Sequence, residues 1–154
     1  RISQIAQLYF SQTAGFSQIL EAGSIEELHR LLDTHVTPYW ESHYTFGCPS
    51  IRNAKSLTPT SRNLIIINTI VPLLYAYGIT HGNEHYQERA LQLLDPIKAE
   101  NNYITRQWES LGIKVNSAAD TQALIQLKKE YCDRKYCLHC RFGYEFMKRT
   151  HQTE

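Results

Sequence analysis

The chain of 154 residues is poor in the features that mark secreted, membrane-spanning and strongly charged proteins. Four cysteines, three of them clustered, are typical of a reduced cytoplasmic protein and not of a disulfide-rich secreted one. The first residues contain no long apolar run and no cleavage site, so we expect no secretory signal. A formal net charge of +1 gives no global argument for binding to nucleic acid or to a membrane.

Long hydrophobic runs and common catalytic motifs are also missing. The most apolar segment, residues 64–77, is interrupted by Asn68 and Pro72 and is shorter than the roughly 20 residues that a membrane helix needs. We therefore expect a buried core helix and no membrane partner. Neither HExxH nor G-x-S-x-G occurs, so the sequence signals neither a zinc hydrolase nor a serine hydrolase, and no catalytic residue is predicted.

What is present is a repeated helical pattern in a chain of globular composition. With 42% hydrophobic and 20% charged residues, residues 1–154 fit one domain. Apolar residues recur at helical spacing, and Ser24, Asn83 and Ser117 are predicted to cap helices. The sequence predicts an all-α fold, a single compact bundle of about seven helices. The β-branched run at residues 65–67 leaves a buried strand as the alternative there.

The densest chemical cluster is the run CDRKYCLHC, which contains Cys132, Cys137 and Cys140. With Cys48 upstream, three close thiols and one distant thiol are the pattern of a long-range metal clip. We predict zinc, with an iron–sulfur cluster as the less favoured cofactor. Substitutes for the fourth ligand are His139, His43 and His81. The alternative is that the cysteines are small buried hydrophobic residues without metal.

The second feature is a stretch without acidic residues, from residue 42 to residue 83. Arg52, Lys55 and Arg62 lie in its polar loop, and Ser61 is predicted to cap the apolar helix that follows. These residues are predicted to bind an anion, such as a phosphate of nucleic acid. The alternative is an ordinary solvated loop. A second basic stretch, which the metal clip would bring close, contains Lys128, Lys129, Arg134, Lys135, Arg141, Lys148 and Arg149.

Single residues carry three further expectations. Tyr39, Trp40, Tyr44 and Trp108 are expected to anchor the core, with their polar tips at the surface. Asn68, inside the apolar helix, is expected to form a core hydrogen bond to a neighbouring helix. Gly78 is expected to end that helix in the left-handed conformation.

The segments YWESHYTFG, NLIIINTIVPLLYAYG, AENNYI and DTQALIQLKKEYCDRKYCLHCRFGYEF resemble an uncharacterised bacterial family, a domain of unknown function. The resemblance covers nearly all of the chain. It implies that these residues are the C-terminal part of a protein more than twice as long. The preceding part, by this resemblance, carries acidic and histidine motifs like those of a restriction-endonuclease-like nuclease core. A start at Arg1 and not at Met agrees with that expectation.

Two functions follow as hypotheses. The first is a helical accessory domain that helps a nuclease-like N-terminal part to hold nucleic acid. The second is a structural or protein-interaction module without a ligand of its own. Because no nucleophile and base occur at a catalytic spacing, we expect the chain by itself not to be an enzyme. Its expected partners are the preceding part of its own chain and nucleic acid.

Overall fold

The computed structural model describes residues 2–11 and 14–150, without the side chains of Phe146, Arg149 and Thr150. The predicted contribution of Arg149 to a basic stretch therefore lies outside the described side chains. In the part that is described the protein is mostly helical, which confirms the all-α prediction in its coarser form. The chain forms two compact units, residues 1–94 and residues 95–154. The prediction of one seven-helix bundle over the whole chain stays a prediction.

The first unit contains seven helices and a small hairpin among its described residues. The helices are α1 Ile2–Ser11, α2 Phe16–Glu21, α3 Ile25–Leu31, α4 Pro38–Glu41, α5 Pro59–Ile65, α6 Val71–Thr80 and α7 Glu84–Gln92. The strands β1 His43–Thr45 and β2 Cys48–Pro49 pair antiparallel. A π-helical segment, Ile66–Ile70, joins α5 to α6, so this part of the chain is one continuous helix, Pro59–Thr80.

The second unit contains α8 Tyr103–Ser110, α9 Ala118–Gln126 and α10 Arg141–Thr150. A π-helical segment, Leu127–Cys132, extends α9, and a 3₁₀ turn, Cys137–His139, precedes α10. Thr121 is fully buried, and its hydroxyl accepts a hydrogen bond from the backbone N–H of Glu100 at 3.1 Å. This bond ties the buried face of α9 to the segment before α8.

The predicted caps of α3, α7 and α9 are confirmed. The hydroxyl of Ser24 accepts from the backbone N–H of Glu27, and the side chain of Asn83 accepts from that of His85. Ser117 is the N-cap of α9, and its hydroxyl accepts a hydrogen bond from the backbone N–H of Asp120. Each cap satisfies a backbone donor that the first helical turn leaves without a partner.

The Asp120 carboxylate completes the last of these caps. It accepts hydrogen bonds from the backbone N–H groups of Asn116 and Ser117, at 2.9 and 3.2 Å. These bonds favour the ionised form and hold the pKa of Asp120 below its ordinary value. The start of α9 is therefore stabilised by a charge that acid would remove.

The apolar segment folds as helix and not as strand, and the helix is longer than predicted. It begins at Pro59, whose ring fits a first helical turn. Its cap is Thr58, whose hydroxyl accepts from the N–H of Ser61, so the prediction that Ser61 caps it is wrong. The π-helical segment lies just before Pro72, which cannot donate a backbone hydrogen bond.

The buried face of this helix forms the centre of the first unit. Ile66, Ile70 and Leu74 are almost completely buried, as is Leu28 of α3. Among the described residues, Pro59–Thr80 is long and apolar enough to cross a membrane, with a mean hydropathy of 1.5 and a third of that window buried. Core helices share that length and composition.

Two glycines shape the end of α6, and both differ from the prediction. Gly78 is helical and buried, and a β-carbon there would lie 2.8 Å from the carbonyl oxygen of Asn83. Its role is the close packing of α6 on α7, not the end of the helix. The left-handed residue is Gly82, with φ of 60°. Asn68 is exposed and donates to Leu64 O in its own helix, so the expected core hydrogen bond is absent.

A buried arginine connects α7 to the end of α2. Arg89 is 9% exposed, and its guanidinium donates to the carbonyl oxygens of Ile19, Leu20 and Ala22. These are orphan acceptors at the C-terminus of a helix, where a cation is also favoured by the helix dipole. Burial lowers the pKa of Arg89, and the nearby Tyr86 and Glu27 oppose that effect.

Candidate functional site

A groove of about 720 Å³ lies between α1 and the hairpin of the first unit. We call it the aromatic groove. The hairpin and α4 contribute Trp40, His43, Tyr44, Thr45 and Phe46. The loop before α5 and its first turn contribute Lys55, Ser56, Thr58 and Ser61, and the start of α1 contributes Ile2, Ser3, Gln4 and Ala6. Among these lining residues none is acidic. A mainly apolar groove of this size with a few polar groups is typical of ligand sites.

The aromatic side of the groove is held by ring contacts. Tyr39 stacks on His43 with ring centroids 4.1 Å apart and an angle of 5° between the rings. Trp40 meets Tyr39 and Phe46 edge to face, at 5.0 and 4.9 Å. The hydroxyl of Tyr39 accepts from the N–H of Gly47, whose φ of 71° makes the turn between the strands. These contacts position the hairpin over α4.

Several of these rings are exposed and do not anchor the core as expected. Tyr44 is 72% exposed, Phe46 81% and Tyr39 41%. The core prediction for the aromatic segment is therefore wrong for Tyr39, on the short helix α4, and for Tyr44, on β1, because both elements lie at the surface of the unit. Phe46 was missed by sequence reasoning. Its signal was the pattern Y-T-F-G, in which alternate aromatic residues precede a turn glycine.

Lys55 is the cation of the groove. Its ammonium group lies over the ring of Tyr44, with Nζ 3.6 Å from the ring centroid. The same Nζ donates to the carbonyl oxygen of His43 at 2.8 Å. An ammonium group has three donors, so these two contacts position Lys55 and leave donors for an anion.

The other two predicted anion-binding cations pair with acidic residues just outside the acid-free stretch. Arg52 is exposed, and it pairs with Glu41 at 2.7 Å. Arg62 is more deeply placed, and its guanidinium donates to the carbonyl oxygens of Leu57 and His29.

Arg62 also pairs with Asp33 at 2.5 Å, and its side chain is 15% exposed. Anion binding by Arg52 and Arg62 stays a prediction that would require these pairs to open. Ser61 lies near Lys55 in sequence and in the groove lining, while Arg52 and Arg62 are not among the lining residues.

In the basic stretch of the second unit, three described side chains form ion pairs. Lys128 pairs with Asp133, Arg134 with Glu130, and Arg141 with Glu145. Two of these are exposed pairs at helical i,i+4 spacing, which contribute little to stability. The predicted patch that joins this stretch to the acid-free loop stays a prediction.

The cysteine cluster lies at the turn between α9 and α10. Cys132 ends the π-helical segment, Cys137 begins the 3₁₀ turn, and Cys140 follows it. Cys132 and Cys137 are exposed, whereas Cys140 is buried. Although Cys132 is exposed, partial loss of solvent around its sulfur raises the pKa of the thiol, and the neighbouring Cys140 and Cys137 raise it further. Cys48 is exposed on β2 of the first unit.

The described residues contain no cluster of three or more His, Cys, Asp or Glu side chains arranged to hold a metal ion. Cys132, Cys137 and Cys140 are close in sequence, but their thiols do not form such a group. His81 and His85 are four residues apart in the sequence, but α6 ends at Thr80 and α7 begins at Glu84, so they do not share a helix face.

Comparison with known families adds one finding. Residues 1–103, about two thirds of the chain, match the family model described as "Protein of unknown function (DUF2851)". The match confirms the resemblance to a domain of unknown function, although the run from Gln122 to Cys140 lies beyond the matched residues. No curated protein and no solved structure matches the chain.

Proposed function

The chain belongs to the DUF2851 family, and we propose that it is a helical accessory module that binds single-stranded nucleic acid in the aromatic groove. In this proposal an unpaired base stacks on the hairpin rings while Lys55 holds a phosphate. The catalytic part is the nuclease-like segment that the sequence resemblance places before residue 1. The chain by itself has no turnover.

The observation that carries the proposal is the coincidence of exposed rings and an acid-free lining. Phe46 and Tyr44 display ring faces to solvent beside a groove large enough for a nucleotide. Proteins that bind single strands use exposed aromatic rings because every base has a face that can stack. Each stacked base contributes about 1–3 kcal/mol.

Electrostatics support the same ligand. The groove contains one lysine and several hydroxyl groups, and among its described lining residues there is no carboxylate to repel a phosphate. The acidic side chains nearby, Glu41 and Asp33, are each engaged by an arginine. The local field therefore favours an anion although the net charge of the chain is only +1.

The test is the binding of a fluorescent oligothymidine, followed by anisotropy at low salt. The wild-type chain should bind the single strand more tightly than a duplex of the same length. Phe46→Ala should weaken binding by about 5- to 100-fold, the loss of one stacked base.

The matched control is Phe10→Ala. Phe10 is 80% exposed, close to the 81% of Phe46, and it lies on the same unit without lining the groove. The control should bind as the wild type does. Equal losses in both variants, or no binding by the wild type at any low salt, would reject the proposal.

A second candidate function, protein interaction, is favoured by the exposed apolar side chains of α1, of which Ile2 also lines the aromatic groove. Ile2, Tyr9 and Phe10 are each at least 80% exposed, and Ile5 is 56% exposed. Four large apolar side chains on one ten-residue helix form a surface of the kind that partners cover. The expected partner is the preceding segment of the longer protein. In a chain extended by that segment, amide hydrogen exchange in α1 should be slower. Phe10→Ala should return the exchange rate to that of the shorter chain. Unchanged exchange would reject this function.

Zinc at Cys132, Cys137 and Cys140 also stays a prediction. The described thiols do not form a ligand group, so binding would require the turn to rearrange. Elemental analysis of protein purified without chelator tests this. One equivalent of zinc or iron, lost in Cys137→Ser, would support it, and its absence would reject it.

A further inference from the structure

We infer that Cys137 and Cys140 are a reversible dithiol–disulfide pair, a modification site that is separate from the aromatic groove. The local geometry of the turn brings these two residues together. Residues 137–139 form a 3₁₀ turn, and the backbone N–H of Cys140 donates to the carbonyl oxygen of Cys137 at 3.3 Å. Residues i and i+3 of such a turn lie on the same face, about 6 Å apart along the axis. That separation is within the Cα range of natural disulfides.

The two thiols differ in solvent exposure, as a pair of one attacking and one resolving cysteine requires. Cys137 is exposed and can meet a reagent in solution, whereas Cys140 is 8% exposed and is shielded from direct attack. The exposed residue therefore reacts first, and the buried residue resolves the intermediate. The third thiol, Cys132, is exposed but belongs to the preceding π-helical segment and not to the 3₁₀ turn.

The backbone of the turn is fixed from both sides. Gly143 of α10 lies against the backbone of Cys137, and a β-carbon at Gly143 would be 3.0 Å from the Cα of Cys137. On the other side, Lys135 is in the left-handed conformation with φ of 57°, and the N–H of Tyr136 donates to Tyr131 O. Because the turn is held at both ends, the separation between the backbones of the two cysteines is fixed.

The co-reactant is a small-molecule disulfide of the glutathione class. The sulfur of Cys137, after losing its proton, attacks one sulfur of that disulfide, and a mixed disulfide forms while one thiolate leaves and takes up a proton. The sulfur of Cys140, after losing its own proton, then attacks the sulfur of Cys137. The protein disulfide forms and the second small thiol leaves. In sum, two protein thiols are oxidised and one disulfide is reduced to two thiols.

The experiment is an equilibration of the whole chain with mixtures of reduced and oxidised glutathione. It is followed by acid quenching, alkylation of free thiols and tryptic digestion. Cleavage after Lys135 and Arg141 places Cys137 and Cys140 together in peptide 136–141, while Cys132 falls in peptide 130–134. As the mixture becomes oxidising, peptide 136–141 should lose both alkyl groups and become two hydrogens lighter than its reduced form. Peptide 130–134 should stay alkylated.

Controls separate the effect of the fold from that of proximity in sequence. Cys137→Ser should leave Cys140 alkylated, and Cys48→Ser should change nothing. In urea any preference among the three clustered thiols should fall to that set by loop length alone. The inference is overturned if both thiols of peptide 136–141 stay alkylated throughout, if Cys137 is linked to Cys132 instead, or if the turn behaves alike in urea and in buffer. Stoichiometric zinc that protects all three thiols from the reagent would also overturn it.

Discussion

Lys55 lies over the ring of Tyr44, with its ammonium nitrogen 3.6 Å from the ring centroid. The two residues come from different sides of the aromatic groove, one from the loop before α5 and the other from β1. The contact keeps the one lysine of the first unit at the groove instead of letting it extend freely into solvent. It is the link between the exposed rings and the anion that we propose they bind.

The salt dependence of binding tests the role of Lys55. Lys55→Gln should reduce the slope of log K against log salt by about one, because one phosphate contact is lost. Arg30→Gln removes one positive charge from the same unit, at a residue that pairs with Glu27 and does not line the groove. That variant should keep the wild-type slope. If Lys55→Gln and Arg30→Gln give the same slope of log K against log salt, Lys55 does not contact a phosphate.

The buried guanidinium of Arg89 should contribute strongly to the stability of the first unit. Arg89→Met leaves three helix-end carbonyl groups without their donors, so we expect the free energy of unfolding to fall by about 2–4 kcal/mol. Arg30→Met, at an exposed i,i+3 pair, should change it by less than about 0.5 kcal/mol. Urea unfolding followed by circular dichroism measures both. A similarly small loss of unfolding free energy in both variants would contradict the role of Arg89.

The close approach of Gly143 to Cys137 should make the turn sensitive to one methyl group. Alanine normally favours a helix over glycine by about 1 kcal/mol. Gly143→Ala should nevertheless destabilise α10, by about 1–3 kcal/mol, because its β-carbon would overlap the backbone of Cys137. Gly23→Ala is the control, since its β-carbon would meet its nearest atom at 3.8 Å. A more stable Gly143→Ala chain would show that the turn does not need the glycine.

The cap of α9 should depend on pH. The pKa of Asp120 is lowered in the folded chain, so its carboxylate stabilises the fold at pH values above its unfolded pKa of about 3.9. That stabilisation is lost as the pH falls through the folded pKa, because the protonated group no longer attracts the two N–H donors. The stability difference between wild type and Asp120→Asn should therefore be largest near pH 7 and shrink toward pH 2. Urea titrations at several pH values measure it, and a constant difference would contradict it.

Local signals predicted local structure well. Ser24, Asn83 and Ser117 were correctly assigned as caps because a short polar side chain before an apolar stripe commonly caps a helix, whereas the same reasoning placed the cap of α5 at Ser61, three residues after Thr58. The apolar segment at residues 64–77 was also predicted to be a buried core helix, and Ile66 and Leu74 in it are fully buried. These features depend on residues within a few positions of one another, so the sequence alone contains the information.

Long-range pairing was beyond sequence reasoning. The stretch from residue 42 to residue 83 has no acid, yet Arg62 reaches back to Asp33 and Arg52 to Glu41. A count of charges within a window cannot show partners that the fold brings from outside it. Gly78 was misassigned for a related reason, since the close approach of Gln87, 2.8 Å from a β-carbon at Gly78, depends on how α7 packs on α6.

The aromatic groove was not predicted from the sequence at all. Sequence reasoning treated the rings of Tyr39, Trp40 and Tyr44 as core because large rings are usually buried. Only the fold shows that a hairpin displays Tyr44 and Phe46 beside α1 and Lys55. The cation at Lys55 was identified from the sequence, while its aromatic partner was assigned another role.

The most direct test of the proposed function is photochemical cross-linking of an oligonucleotide that carries 4-thiouracil at one position. After digestion, the cross-link should map to peptide 31–52, which contains Trp40, Tyr44 and Phe46. Phe46→Ala should reduce its yield, and Phe10→Ala should not. If the oligonucleotide binds but cross-links only to peptides of residues 95–154, the aromatic groove is not the nucleic-acid site.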